Sequence, residues 1–186
     1  LWFLPLVASA SGQTTALVSR PDGFGAGTLA PVNDATVGGR AISADGRYVA
    51  FWSDARNLVP GQIDTPGTFD LFVFDREAGP TGSIELATHV PGSPATAAGH
   101  ADLSFAIPLH LSADGRFIAF QSALTNLVPG QVDANQGIDV FLRDRTAGTT
   151  VLVSHAASSN VTAGNRPSQS LTHEDPLSMS ADGRFV

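Results

Sequence analysis

The stretch "SADGRYVAFWS" at residues 43–53 returns as "SADGRFIAFQS" at residues 112–122, and its first five letters return at residues 180–184. The intervals between the three copies are 69 and 68 residues. The likeness continues past residue 53, because "NLVPGQIDTPGTFDLFVFDREAG" aligns without a gap to "NLVPGQVDANQGIDVFLRDRTAG". Self-similarity at a fixed period is the signature of a repeat architecture, so we expect a chain built from repeated units.

Each unit is predicted to contain four short antiparallel strands. Asp45-Gly46 and Asp114-Gly115 lie between apolar runs, where glycine supplies the positive φ of a tight hairpin turn. The flanking segments are rich in β-branched and aromatic residues, and no stretch favours a helix. The sequence therefore predicts an all-β protein, with strands at residues 40–43, 47–53, 70–75 and 83–89 of one unit and at 107–112, 116–122, 139–144 and 149–155 of the next.

The repeats also define the expected domain organisation. Residues 13–186 would form one repeat domain, with complete units at residues 40–89 and 107–155. "TTALVSR" at residues 14–20 resembles a fourth strand without the strands before it, and residues 177–186 open a further unit. We expect these two pieces to belong to units that are only partly contained in the chain.

The first 12 residues differ from the repeats. They form an apolar run that includes Ala8-Ser9-Ala10, a small-residue spacing that a signal peptidase accepts, and the run is too short to span a bilayer. We interpret residues 1–12 as the remnant of an export signal, and the alternative is a strand of a preceding repeat. An export signal would place the protein in the periplasm or outside the cell.

Composition excludes several functions. The net charge of −7 argues against non-specific binding of nucleic acid, which requires a cationic surface. The chain has no cysteine, so it can form neither a disulfide nor a thiolate metal site. It contains no G-x-S-x-G nucleophile motif. His89 and His155 occupy the same repeat position, and we expect them at solvated strand ends rather than in a catalytic site.

One loop has the spacing of a calcium site. Asp133, Asn135 and Asp139 alternate around Gly137, and oxygen ligands around a glycine turn are typical of calcium loops. The alternative is that these residues form Asx-type turns that lead into the next strand. The other repeat has Pro66 where Asn135 stands, which removes one side-chain ligand.

Charged residues recur at fixed positions of the repeat, and we expect them to stabilise the fold. Arginines after the turn can pair across a strand or with the aspartate of the turn, and Asp75 and Asp144 end the third strands. The repeated turn residues are Asp45, Gly46, Arg47, Asp114, Gly115, Arg116, Asp182, Gly183 and Arg184.

The combined pattern S-x-D-G-R-[YF]-[VI]-A-F, then N-L-V-P-G, then D-x-F-x-x-D-R, resembles the PD40 or WD40-like repeats of TolB-type β-propellers. The resemblance covers nearly all of residues 14–186. It implies a propeller built of four-stranded antiparallel blades, of which the chain would hold about two and a half. The strand at residues 14–20 would then complete the last blade of the ring.

Propellers of this type serve several functions, so the resemblance leaves the activity open. We expect an exported, non-catalytic scaffold that binds a protein or a cell-envelope ligand, with no membrane span and no cofactor other than the calcium considered above. One alternative is a substrate-gating propeller of a serine peptidase whose catalytic domain lies outside the chain. Another is a propeller that performs lyase or hydrolase chemistry in its central channel.

Overall fold

The computed structural model describes residues 35–36, 41–99, 108–168 and 177–186. Within these residues every regular element is a β-strand, which confirms the all-β class. The same residues contain no helix that is long and apolar enough to cross a membrane. The expected export signal at residues 1–12 and the expected strand at residues 14–20 lie outside the described part of the chain.

The strands form two antiparallel sheets with the orders β1-β2-β3-β4 and β5-β6-β7-β8. The two ladders share one register, because Phe51 pairs with Phe72 in the first sheet as Phe120 pairs with Phe141 in the second. The third strands have the predicted bounds. The elements are β1 Ala35–Thr36, β2 Tyr48–Ser53, β3 Asp70–Asp75, β4 Ser83–Leu86, β5 Leu109–Leu111, β6 Phe117–Ser122, β7 Asp139–Asp144 and β8 Thr149–Leu152.

The first strand of the first sheet differs from the prediction. The sequence placed it at residues 40–43, but the structure assigns β1 to Ala35–Thr36. At the predicted position Ile42 forms only an isolated bridge to Val49. The segment still lies beside β2, because the N–H of Ser43 donates to the carbonyl of Tyr48 at 3.0 Å and the N–H of Ala50 donates to the carbonyl of Ala41 at 2.7 Å.

The fourth strands end three residues earlier than predicted, at Leu86 and Leu152. A side-chain hydroxyl replaces the backbone acceptor at that point, since Thr88 Oγ1 accepts the N–H of Leu71 at 3.0 Å. Ser154 Oγ accepts the N–H of Val140 at the same distance in the second sheet. Once a side chain occupies the ladder position, the backbone can leave the sheet.

Each SADGR segment is a turn that its own side chains hold closed. Ser43 Oγ donates to Asp45 Oδ1 at 2.6 Å and accepts the N–H of Tyr48 at 2.9 Å. Asp45 Oδ1 also accepts the N–H of Arg47 at 2.9 Å, and Gly46 has a φ of 70°. The same hydrogen bonds occur in the copies at residues 112–116 and 180–184.

The arginine of the turn joins the second and third strands. Arg47 donates from Nε and Nη2 to the two carboxylate oxygens of Asp75 at 2.9 and 2.7 Å. Arg116 binds Asp144 in the same bidentate way, at 3.0 and 2.6 Å. The hydrogen bond from Arg116 lowers the pKa of Asp144 to about 2. Because the arginine and the aspartate are 28 residues apart in both units, each unit forms one such ion pair.

The two sheets pack face to face through apolar side chains. Residues of β2 and β3, including Ala50, Trp52 and Val73, share one core with residues of β6 and β7, including Phe120 and Phe141. The rings of Trp52 and Phe120 meet edge to face with their centroids 6.2 Å apart. Such aromatic pairs contribute about 0.5–1.5 kcal/mol beyond the area that they bury.

Successive turns also contact one another directly. The N–H of Ala44 donates to the carbonyl of Ala113 at 2.9 Å, and the N–H of Ala113 donates to the carbonyl of Ala181 at 2.8 Å. An aromatic ring covers the glycine of the following turn, with Tyr48 against Gly115 and Phe117 against Gly183. The third copy of the turn therefore sits on the second as the second sits on the first.

We expect Gly115→Ala to lower the free energy of unfolding more than Gly130→Ala does. Both glycines have a φ of 72°, so alanine carries the same left-handed backbone penalty of about 1–2 kcal/mol at either position. At position 115 the added Cβ overlaps the ring of Tyr48, whereas at position 130 it meets no atom within 4 Å. Overpacking should add about 1–3 kcal/mol to the loss at position 115, measured by urea unfolding. Equal losses in the two variants would contradict the contact between turns.

Candidate functional site

A cleft of about 470 Å³ lies where the two sheets meet. Its walls come from the segment that follows β4, from the loop that follows β6, and from the hairpin of β7 and β8. Apolar surface comes from Pro91, Leu127, Pro129 and Val151. Its polar side chains include His89, Arg143 and Thr150.

Arg143 is the charged side chain of the cleft. It lies on β7, is only 7% exposed, and donates from Nη2 to His89 Nε2 at 2.7 Å and from Nη1 to Thr150 Oγ1 at 3.3 Å. Its Nε–H is buried and has no hydrogen-bond partner among the described residues. No described carboxylate forms an ion pair with it. Burial lowers the pKa of Arg143, which reflects the cost of holding a cation there.

His89 holds the guanidinium of Arg143 as a neutral acceptor. Its Nδ1 lies 2.8 Å from the carbonyl oxygen of Val90, and because a carbonyl can only accept, Nδ1 carries the proton. Nε2 is then free to accept from Arg143. Burial and, to a lesser extent, the charge of Arg143 lower the pKa of His89 below its usual 6.5, which keeps the ring neutral.

The expectation of a solvated His89 is wrong, because the side chain is only 8% exposed. The second sheet covers it through Arg143, a neighbour 54 residues away in the sequence. His155 has the equivalent position in the second unit and is exposed, as expected. His89 and His155 therefore share a repeat position, and the residue that packs against each histidine determines how deeply it is buried.

Glu85, on the last strand of the first sheet, is already bound by another arginine. Glu85 Oε1 accepts from Arg145 Nε at 2.5 Å, which leaves it outside ion-pair distance of Arg143. Arg145 also donates to the carbonyl of Gly115 at 2.6 Å, and its guanidinium lies 4.3 Å from the ring centroid of Tyr48. Arg145 thus links the two sheets. Arg143 has no direct ion pair among the described residues, and Glu85 and Asp144 stabilise its charge only from a distance.

The equivalent position of the first sheet is apolar. Arg143 pairs across the ladder with Thr150, whereas in the first sheet Phe74 pairs with Ile84. Phe74 is 4% exposed and belongs to an apolar cluster. Arg143 is absent from the sequence-based candidates, although the alignment of "DLFVFD" with "DVFLRD" contained the signal. A charge that replaces a repeated apolar residue marks a position with a role of its own.

The predicted calcium residues lie together at the start of β7, where one oxygen of each accepts hydrogen bonds from nearby backbone or side-chain groups. Asp133 Oδ2 is buried and has no partner among the described residues. Asp133 Oδ1 accepts the N–H groups of Asn135 and Gln136 at 3.1 and 2.9 Å. Asn135 Oδ1 accepts the N–H of Gly137 at 2.6 Å, and Asp139 Oδ1 accepts from Ser154 at 2.8 Å. These bonds fit the alternative of Asx-type turns. Within the described ranges no group of three or more histidines and carboxylates is arranged to hold a metal ion.

Asp70 is a buried carboxyl at the corresponding place in the first sheet. It is 2% exposed, and its Oδ1 accepts from Thr88 Oγ1 at 2.7 Å. Burial, with a smaller contribution from the neighbouring Asp64, raises the pKa of Asp70 to about 7. Oδ2 is buried without a partner among the described residues, so the site favours the protonated form.

The cleft has the chemistry of a binding site. Both ring nitrogens of His89 are engaged, so neither is available to take a proton from a nucleophile. The features that remain are one oriented guanidinium, two threonine hydroxyls and apolar walls, which are typical of a ligand pocket. The described fold and site therefore define an all-β repeat protein with a polar cleft between stacked sheets. Comparison with protein families, curated proteins and solved structures found no match to the chain.

Asp70→Asn should remove a decline in stability between about pH 4 and pH 7. In this range the folded protein keeps a proton on Asp70 that the unfolded chain, with a pKa of about 3.9, has released. The free energy of unfolding of the wild type thus falls as pH rises through the window, and urea unfolding over a pH series measures it. Asp75→Asn is the control, because Arg47 lowers the pKa of Asp75 and its loss must destabilise above pH 4. Parallel curves for the wild type and Asp70→Asn would disprove the raised pKa.

Arg143→Met should raise the free energy of unfolding of the ligand-free protein by about 1 kcal/mol or more. Methionine fills a similar volume and carries no charge, so it removes a buried cation that has no carboxylate partner among the described residues. Water in the cleft can then hydrogen-bond to His89 and Thr150 in place of the guanidinium. Arg166→Met, at an exposed arginine, is the matched control and should leave stability within about 0.5 kcal/mol. A loss of several kcal/mol in Arg143→Met would mean that Arg143 holds the two sheets together.

Proposed function

We propose that the chain is part of an exported β-propeller of the PD40 or TolB-like type that acts as a non-catalytic binding scaffold. Two four-stranded antiparallel sheets of the same register, stacked face to face, support this proposal, since they have the composition of neighbouring blades. The contacts between successive turns support it further, because they repeat from one unit to the next.

The residues that precede the three turns also support the propeller proposal. The residues that precede the three SADGR copies, Ile42, Leu111 and Met179, line one shallow pocket of about 190 Å³. In a propeller the blades are arranged around a central channel. We propose that this row of equivalent residues faces such an axis.

The observation that carries the binding function is the buried Arg143 in the wall of the inter-sheet cleft. A buried cation that has no carboxylate partner among the described residues lowers the stability of the ligand-free protein, and a bound ligand can offset that cost. Ala8-Ser9-Ala10 at the end of the apolar segment supports export. A protein or a component of the cell envelope is then the expected kind of partner.

The test is a thermal-shift series with benzoate, benzylamine and benzyl alcohol, which carry a negative, a positive and a neutral group on one ring. Binding to the folded state alone must raise the melting temperature. We expect at least one probe to raise it in the wild type and in Arg166→Met but not in Arg143→Met. Mass spectrometry after prolonged incubation should recover each probe unchanged.

Two results would refute the scaffold. Conversion of a probe would show an enzyme, and the absence of any shift with all three probes would show that the cleft is no ligand site. A shift that persists in Arg143→Met would place the binding surface elsewhere on the molecule.

A further inference from the structure

We propose that the inter-sheet cleft selects a ligand that carries a single carboxylate on an apolar body, with Arg143 as the counterion of that carboxylate. The inference rests on the proposed binding function and adds the chemical class of the ligand. It has three independent grounds: the charge of the cleft, the orientation of its donors and the nature of its walls.

The positive charge of Arg143 favours a ligand that carries one negative charge. Glu85 pairs with Arg145 at 2.5 Å, and His89 is neutral. Arg143 therefore has no carboxylate in direct contact among the described residues, and Glu85 and Asp144 stabilise its positive charge only from a distance. A guanidinium this deeply buried is stabilised by a charge-assisted hydrogen bond to an anion. A dianion such as a phosphate monoester would leave one negative charge of its own without a partner.

The donors of the cleft are fixed before the ligand arrives. His89 Nε2 holds Nη2 of Arg143 at 2.7 Å, and Thr150 Oγ1 lies 3.3 Å from Nη1. The plane of the guanidinium is thereby set. Its Nε–H is buried and has no partner among the described residues, whereas Nη1 and Nη2 each carry a second hydrogen atom that can meet a carboxylate. Guanidinium groups bind planar carboxylates through such parallel N–H donors. A preset orientation reduces the entropy lost on binding.

The walls of the cleft favour an apolar body. Pro91, Leu127, Pro129 and Val151 line it, and Val151 is 50% exposed, a large fraction for an apolar side chain. The volume of about 470 Å³ lies within the range of about 300–1,000 Å³ that is usual for ligand pockets. The cleft can thus hold a group as large as a substituted aromatic acid or the last residues of a peptide.

The test is calorimetric titration of the whole chain with hippurate (N-benzoylglycine), with its neutral amide and with phenyl phosphate. We expect hippurate to bind with a dissociation constant on the order of 1 mM or lower. The dissociation constants of the other two probes should be at least roughly tenfold higher. Arg143→Met should lose the preference for hippurate over its amide, and Arg166→Met should keep it. Arg143→Lys, which retains the charge without the planar fork, should retain part of it.

The carboxylate could belong to the C-terminus of a peptide or to a small organic acid. Titration with an acetylated tripeptide that ends in phenylalanine, with a free or an amidated C-terminus, distinguishes the two sources. Tighter binding of the free-acid peptide than of hippurate identifies a peptide C-terminus as the natural group. Tighter binding of hippurate identifies a small organic acid. Equal affinity for the free and amidated peptides, combined with weak binding of hippurate, overturns the inference.

The outcomes also separate this inference from the proposed function. If hippurate and its amide bind equally well and Arg143→Met weakens both to the same extent, the cleft is a ligand site and the carboxylate preference is wrong. If phenyl phosphate binds most tightly, the argument from a single charge is wrong. If none of the three probes binds the folded wild type, the cleft is not a ligand site and both proposals fail.

Discussion

The contact between successive SADGR turns is the constraint on which the rest of the structure depends. The backbone hydrogen bond from Ala44 to Ala113 and the ring of Tyr48 against Gly115 fix one turn on the next. Each turn is rigid because serine and aspartate satisfy its backbone, so a contact between turns becomes a contact between whole sheets. The spacing of the sheets, and with it the cleft, follows from this local geometry.

In the cleft, the interface between the two sheets is less stabilising than an entirely apolar interface would be. Sheet faces of this type stabilise a protein by burying apolar pairs, and Phe74 with Ile84 is such a pair. At the matching position the second sheet presents Arg143 and Thr150, which bury less apolar surface and leave one donor unsatisfied. A position that lowers stability in one unit alone is typical of a functional site.

Much of the fold could be predicted from the sequence because its determinants are local. Glycine at a positive φ, the serine and aspartate of the turn and the alternating apolar strands act within a few residues of one another, so β3 and β7 were predicted to the residue. The first and fourth strands were less predictable. Their ends depend on how residues such as Thr88 meet a neighbouring strand, and no local pattern contains that information.

The sequence by itself determined the all-β class and the repeated unit, whereas the structure decided that Arg47 pairs across the strands with Asp75 rather than with the aspartate of its own turn. Only the tertiary structure decided which equivalent residues differ in environment. His89 is buried and His155 is exposed although they share a repeat position, because Arg143 of the following sheet covers only the first. A repeat fixes what each unit contains, whereas burial and charge compensation depend on the side chains that the next unit brings against it.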